Sequence, residues 1–159
     1  IDGGNVAPIL GEDCLTTGMR GGKSGDFIAD LLEDYGIRQD FVRVAGETRS
    51  CLAIITDDGV QTEILEPGPQ VSGAELEICR QKYNELLEAA DIIVASGSVP
   101  RGVPTDFYAR LIQEARAAAK PFLLDTSGEL LHQGIAAHGL HADLLRGAFK
   151  LCHHCICPP

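Results

Sequence analysis

The chain has 159 residues, of which 45% are hydrophobic, and a formal charge of -10. A real core can form, but so acidic a surface excludes partners that reward clustered Lys and Arg, namely nucleic acids and anionic membranes. No apolar run reaches the roughly 18 to 20 residues that cross a bilayer, and the start Ile1-Asp2-Gly3-Gly4-Asn5 has none of the features of a signal peptide. The expected location is the cytoplasm, and a start without Met is expected to lie inside a larger reading frame.

In chain order, Gly3 and Gly4 precede an apolar run, so the backbone there can turn tightly and present N–H groups, and Asn5 can both donate to and accept from a sugar hydroxyl. Leu15–Gly18 reads as a short strand. Gly21-Gly22-Lys23-Ser24-Gly25 leads into a helix over Asp26–Tyr35, with Phe27, Ile28, Leu31 and Leu32 at helical spacing and Gly36 as its stop. Gly22-Lys23-Ser24 looks like the end of a nucleotide-binding P-loop, but Thr17 stands where that motif needs its first glycine, so no P-loop is assigned.

From Ile37 to Pro69 the pattern turns strand-like. Phe41–Val44 is followed by Ser50–Thr56 and Val60–Leu65, which Asp57-Asp58-Gly59 joins as a hairpin. Such a β insert in an α/β chain suits a lid. Arg49, at the mouth of the first hairpin strand, offers a planar fork that matches phosphate oxygens, with a surface pairing to Glu47 or Glu63 as the plainer alternative. Ser72 and Glu75 form a capping box before a helix whose predicted buried face is Leu76, Ile78, Cys79, Tyr83, Leu86 and Leu87.

Ile92–Ala95 reads as a buried parallel strand ending in the loop Ser96–Gly102, whose hydroxyls, backbone N–H groups and Arg101 suit an anionic or hydroxyl-rich ligand. A helix then begins at Pro104 and Thr105, with Phe107, Tyr108, Leu111, Ile112 and Ala115 as its stripe. The next strand, Pro121–Asp125, places Asp125 to face a metal-bound phosphate or to cap a helix starting near Gly128. This alternation predicts βαβ units. Cys14, Cys51 and Cys79 read as reduced, buried small hydrophobes, while the tail Cys152-His153-His154-Cys155-Ile156-Cys157 has zinc-ligand spacing.

Six stretches, Gly3–Ala7, Gly18–Gly25, Gly46–Arg49, Thr62–Pro69, Ser96–Pro104 and Asp125–Glu129, together resemble the PfkB carbohydrate kinases. The likeness is closest to the branch that holds 1-phosphofructokinase and tagatose-6-phosphate kinase. It covers about residues 3 to 135. It implies a ribokinase-like α/β fold, a doubly wound and mainly parallel sheet with a small β lid, whose C-terminal part is truncated here. Residues 1–135 would be a partial kinase domain, with lid strands from 37–69, and residues 136–159 a tail foreign to the family.

The implied activity is transfer of the γ-phosphoryl of ATP, with Mg²⁺, to a hydroxyl of a sugar phosphate of the fructose 1-phosphate or tagatose 6-phosphate class. By the same resemblance Gly3, Gly4 and Asn5 hold the sugar hydroxyls, while Arg49 and Ser98 lie at the substrate's phosphate. The lid implies a possible homodimer. Departures are also plain. Asp2 stands where the family has a lysine, and His138-Gly139-Leu140-His141 onward reads as a shifted frame or misjoined end instead of the family's Lys-Pro-Asn turn and Asn-x-x-Glu motif. No residue matches the catalytic aspartate of the Gly-Ala-Gly-Asp motif, and the ATP site has no counterpart. The chain as it stands is therefore expected to be inactive. The alternatives are a non-catalytic sugar-phosphate binding fragment and, more remotely, a zinc-binding protein that uses the Cys/His tail.

Overall fold

The computed structural model describes residues 13–138. The chain divides into two compact units, one made of Ile1–Lys82 with Val99–Val103 and the other of Tyr83–Ser98 with Pro104–Pro159. Gly3, Gly4, Asn5 and the Cys/His tail lie outside the described residues.

In the first unit β1 (Leu15–Thr16) and β2 (Met19–Arg20) are followed by α1 (Gly22–Asp34), β3 (Arg38–Gln39) and β4 (Val42–Arg43). β1 pairs in parallel with β3, and β2 with β4. Bonds from Asp40 N to Thr16 O (3.0 Å) and from Val42 N to Gly18 O (2.9 Å) bridge the two pairs, so they form one interrupted βαβ ladder. The expected strand at 15–18 thus breaks at Thr17, whose hydroxyl donates to Asp40 O at 2.6 Å.

Helix α1 buries Gly25, Ala29 and Leu32. Phe27 and Leu31, expected on the buried stripe, are instead 66% and 40% exposed. The reason is close approach. A Cβ on Gly25 would sit 3.0 Å from Thr48 Oγ1 and 3.1 Å from Arg20 Cβ, so only the small-residue face can meet the strands. The helix ends in a Schellman motif, with Gly36 N donating to Glu33 O and Ile37 N to Leu32 O, both at 2.8 Å.

The hairpin of β5 (Cys51–Ile55) and β6 (Gln61–Leu65) is antiparallel, with Leu52 opposite Ile64 and Ala53 opposite Glu63. Its turn is built as the sequence predicts. Gly59 N donates to Thr56 O (2.8 Å), and the Asp58 carboxylate accepts from the Thr56 hydroxyl. Every residue of both strands is exposed, including Cys51, which corrects the expectation of a buried thiol.

Helix α2 (Gly73–Ala89) opens with the expected capping box. Ser72 N donates to Glu75 Oε2 at 2.7 Å, and Glu75 N returns a bond to Ser72 Oγ at 3.3 Å. Of its predicted apolar face only Leu87 is buried, and Ile78 is 51% exposed. Ile78 lies two residues from Leu76, about 200° around the helix, whereas Cys79, Tyr83 and Leu86 keep the 3.6-residue spacing. Val99–Val103 also belongs to this unit, where Val71 N donates to Arg101 O at 2.8 Å and Val71 and Val103 are buried.

The second unit holds a further βαβ element in which β7 (Ile93–Ser96) and β8 (Phe122–Asp125) pair in parallel around α3 (Phe107–Ala117), followed by α4 (Gly128–His138). The α3 stripe is as expected at Tyr108, Leu111, Ile112 and Ala115, which are buried, whereas Phe107 is only half-buried. Gly134 permits tight packing here, because a Cβ on it would lie 2.5 Å from Leu124 Cδ2. Helices α3 and α4 pack against β8, burying Phe122, while Val94 and Leu123, paired on the opposite face, are 60% and 56% exposed. The strand at 93–96 is therefore covered on one side within its unit, not buried on both. Helical order also extends past Gly134, to His138.

Helix α3 ends in the same motif as α1, with Lys120 N donating to Ala115 O (2.9 Å) and Ala119 N to Arg116 O (3.0 Å), but the left-handed residue is Ala119, at φ 56°. An L side chain pays for that conformation, whereas Gly36, at φ 68°, does not. Ala119→Gly is expected to raise stability, and Gly36→Ala to lower it, each by about 1 kcal/mol. Urea unfolding followed by circular dichroism checks both.

Candidate functional site

In the first unit the segment Ala45–Ser50 joins the parallel ladder to the hairpin, and it is fastened along its length. Gly21 N donates to Thr48 Oγ1 and Thr48 N to Gly21 O, both at 2.9 Å. The Glu47 carboxylate accepts from Ser24 N at 2.6 Å and Lys23 N at 3.3 Å, so an acid from elsewhere in the chain caps the open N-terminus of α1. These amides, with help from the Ser24 hydroxyl, hold the Glu47 carboxyl below its ordinary pKa. Gly22 makes room: at φ 64° it is left-handed, and a Cβ on it would fall 1.7 Å from Glu47 Oε2. Ala45 N donates to Glu75 Oε1 at 2.7 Å, which ties the same segment to the capping box of α2.

Arg49 follows directly. It is exposed, and with Lys23, Ser24, Phe27, Ile28, Ser50 and Cys51 it lines a shallow open cleft of about 470 Å³. Two cationic side chains, two serine hydroxyls and an apolar wall provided by the exposed face of α1 suit a ligand with an anionic end. The sequence pointed to Arg49. It offers Glu47 only as a surface partner for Arg49, and does not reveal that Glu47 and Thr48 bond to the loop Gly21–Gly25. The usable signal was an acid two residues before the arginine, in a segment that follows a glycine-rich helix start.

In the second unit the carboxyl ends of β7 and β8 bring Ser96, Gly97, Asp125 and Thr126 together. Gly97 N donates to Asp125 O (2.9 Å), and Gly97 O accepts from Tyr108 Oη (3.1 Å) and Thr126 Oγ1 (2.8 Å). Burial pushes the Tyr108 phenol up. Asp125 Oδ2 accepts from Ser96 Oγ at 3.4 Å, so its partner is the neighbouring strand and not, as expected from sequence, an amide of the following helix. Ser98 is exposed beyond this cluster. Arg101, expected to present its guanidinium to a ligand, donates from Nε to Gly68 O at 3.4 Å. Of the expected site residues, Arg49 therefore lies in the first unit, Ser98 in the second, and Gly3, Gly4 and Asn5 outside the described residues.

Residues 5–148 match the pfkB family of carbohydrate kinases. The chain belongs to this family. Among solved structures it resembles a possible 1-phosphofructokinase from Thermotoga maritima, at 29% identity and a TM-score of 0.80, covering 84% of this chain and 42% of that one. The tetrameric inhibited form of phosphofructokinase-2 from Escherichia coli gives 26% identity and a TM-score of 0.74, over 84% of this chain and 44% of the other. A putative phosphofructokinase from Staphylococcus aureus gives 29% and 0.71, over 92% and 49%. The pfkB chain described here thus has a ribokinase-like α/β fold and spans less than half the length of each of these structures.

Kinases of this family use ATP and a divalent metal. Among the described residues no group of three or more His, Cys, Asp or Glu is arranged to hold a metal ion. No helix among them is long and apolar enough to cross a membrane.

Glu47, Glu75, Asp26 and Asp58 all have carboxyls held below their ordinary values of 4.5, 4.5, 3.8 and 3.8. The main causes are the Ser24 amide for Glu47, the Ser72 hydroxyl for Glu75, the Arg43 guanidinium for Asp26 and the Thr56 hydroxyl for Asp58. Because each folded pKa is depressed, the stabilisation is complete above the ordinary value and is lost as pH falls through the lowered one. Urea midpoints measured from neutral pH into acid should drop below about pH 4.5. Glu47→Gln should flatten that drop, and its deficit relative to the native chain should shrink in acid.

Proposed function

We propose that this chain carries the sugar-phosphate side of an ATP-dependent kinase that phosphorylates a hydroxyl of a hexose phosphate, of the fructose 1-phosphate or tagatose 6-phosphate class. The observation that carries the reading is the cleft at the start of α1, where Arg49 and Lys23 both face an open space large enough for part of such a ligand. In this reading Arg49 grips the phosphate already on the sugar, through the paired N–H groups of its fork. The family resemblance adds Ser98, in the loop after β7, as a phosphate contact and Gly3, Gly4 and Asn5 as partners of the sugar hydroxyls.

Phosphoryl transfer asks the protein mainly to position its reactants and to neutralise charge in a closed site. When bound, ATP and Mg²⁺ supply the transferred group and the electrostatic relief for its transfer. This chain's contribution is to hold the acceptor. The hairpin β5–β6 acts as the lid, and its exposed Leu52, Ile54 and Ile64 offer a face for pairing with a second lid in a homodimer. Only residues 149–159 lie beyond the family match; none of the described residues is assigned as catalytic base in this reading, and the chain by itself turns over no substrate. The chemistry belongs in the cytoplasm, where sugar phosphates are made and consumed.

Isothermal titration with fructose 1-phosphate and tagatose 6-phosphate should show binding that Arg49→Ala weakens by about 10- to 100-fold, the worth of a charge-assisted hydrogen bond. A coupled assay with ATP and Mg²⁺ should show no turnover. Binding unaffected by Arg49→Ala would remove the phosphate role, and turnover at kinase rates would refute the catalytic incompleteness.

A further inference from the structure

A guanidinium on a flexible stem is only as well placed as the backbone that carries it. Arg49 stands between an exposed hairpin, whose end holds Ser50 through two bonds with Glu66, and a segment locked to two helix starts. We infer that Glu47 is the positioning residue for the phosphate grip: by bridging the amides of Lys23 and Ser24 it fixes Arg49 and the Lys23 backbone at the two sides of one cleft. This deepens the proposed function and rests on its assignment of Arg49 to the substrate phosphate.

The geometry gives Glu47 that role and no direct one. It is not among the residues that line the cleft, yet its two carboxylate oxygens reach consecutive residues that do, at 2.6 and 3.3 Å. Thr48, between Glu47 and Arg49, exchanges two bonds with Gly21, so the backbone on both sides of this contact is held in register. Gly22 leaves no space for any side chain against the carboxylate, which makes the fit specific to this pair.

A chemical consequence follows. The N-terminus of α1 would ordinarily attract a substrate anion. Glu47 already takes the Lys23 and Ser24 amides, so an anion in the cleft is met by the side chains of Arg49 and Lys23. Selectivity for a phosphorylated sugar then depends on how well those two cations are spaced, and Glu47 sets that spacing.

The test is a double-mutant cycle on the full chain, read by titration with fructose 1-phosphate. Glu47→Ala is expected to weaken binding on the order of tenfold in the native background and to change nothing further when Arg49 is already Ala. Glu47→Gln, which keeps an acceptor for one amide, should recover part of the loss, and it serves as the folded control if Glu47→Ala is unstable. A ligand-free readout accompanies these: the Lys23 and Ser24 amide proton shifts should titrate with a midpoint below 4.5, and that titration should vanish in Glu47→Gln. If Arg49→Ala abolishes binding while both Glu47 variants bind like the native chain, the inference fails and the proposed function stands. Equal losses from Glu47→Ala in both backgrounds would also overturn it, because Glu47 would then act without Arg49. If the native chain does not bind, or Arg49→Ala has no effect, the underlying reading of Arg49 fails first.

Discussion

The docking of Gly46–Arg49 onto the start of α1 is the contact on which the first unit depends. Gly21 and Thr48 exchange reciprocal bonds, and the Glu47 carboxylate takes the amides of Lys23 and Ser24, so a helix without a side-chain cap of its own is capped by a distant strand connection. The glycines of Gly21-Gly22-Lys23-Ser24-Gly25 serve this contact by letting backbone, carboxylate and hydroxyl approach where any Cβ would intrude. A sequence that looks like a defective nucleotide loop is in fact a receptor for the protein's own carboxylate. The same approach turns the small face of α1 inward and leaves Phe27 outside, where it becomes a wall of the cleft.

The acidic character of the chain takes on a different meaning in this light. A charge of -10 suggests a surface of solvated carboxylates. Several of them instead accept bonds from backbone amides at turns and helix starts: Glu47 at α1, Glu75 at both α2 and Ala45, Glu66 from Ser50 at 2.9 Å, and Asp58 in the hairpin turn. Charge-assisted bonds of this kind fix loops that have little apolar surface to bury. One of them, Glu47, is engaged with two amides of α1 beside the cleft that Lys23 and Arg49 line, so two cations share one cleft in a protein that is strongly acidic as a whole.

The second unit shows how a polar cluster can look like a ligand site while serving the sheet. Ser96, Gly97, Asp125 and Thr126 lie at the carboxyl ends of parallel strands, the usual position for ligands in such folds. Among them, though, Gly97 has both backbone groups bonded within the unit, and Asp125 is bonded to the strand beside it. The cluster closes the ends of β7 and β8 and anchors Tyr108 of α3.

The amino-acid order by itself determined the local elements: the Asp58-Gly59 hairpin, the Ser72–Glu75 capping box, the helix stop at Gly36, the α3 stripe and the βαβ alternation. Each follows from interactions within a few residues, where spacing and turn chemistry decide the outcome, and the six family stretches were readable for the same reason. Which face of an element is covered was decided only by the tertiary structure. Phe27 and Val94 carry apolar side chains at sound helical or strand positions, yet both stay exposed because burial depends on which partner approaches and how closely. The partnership of Glu47 with Lys23 and Ser24 was equally hidden, since it joins groups more than twenty residues apart, and hydrogen bonding across such a separation leaves no periodic trace in the chain.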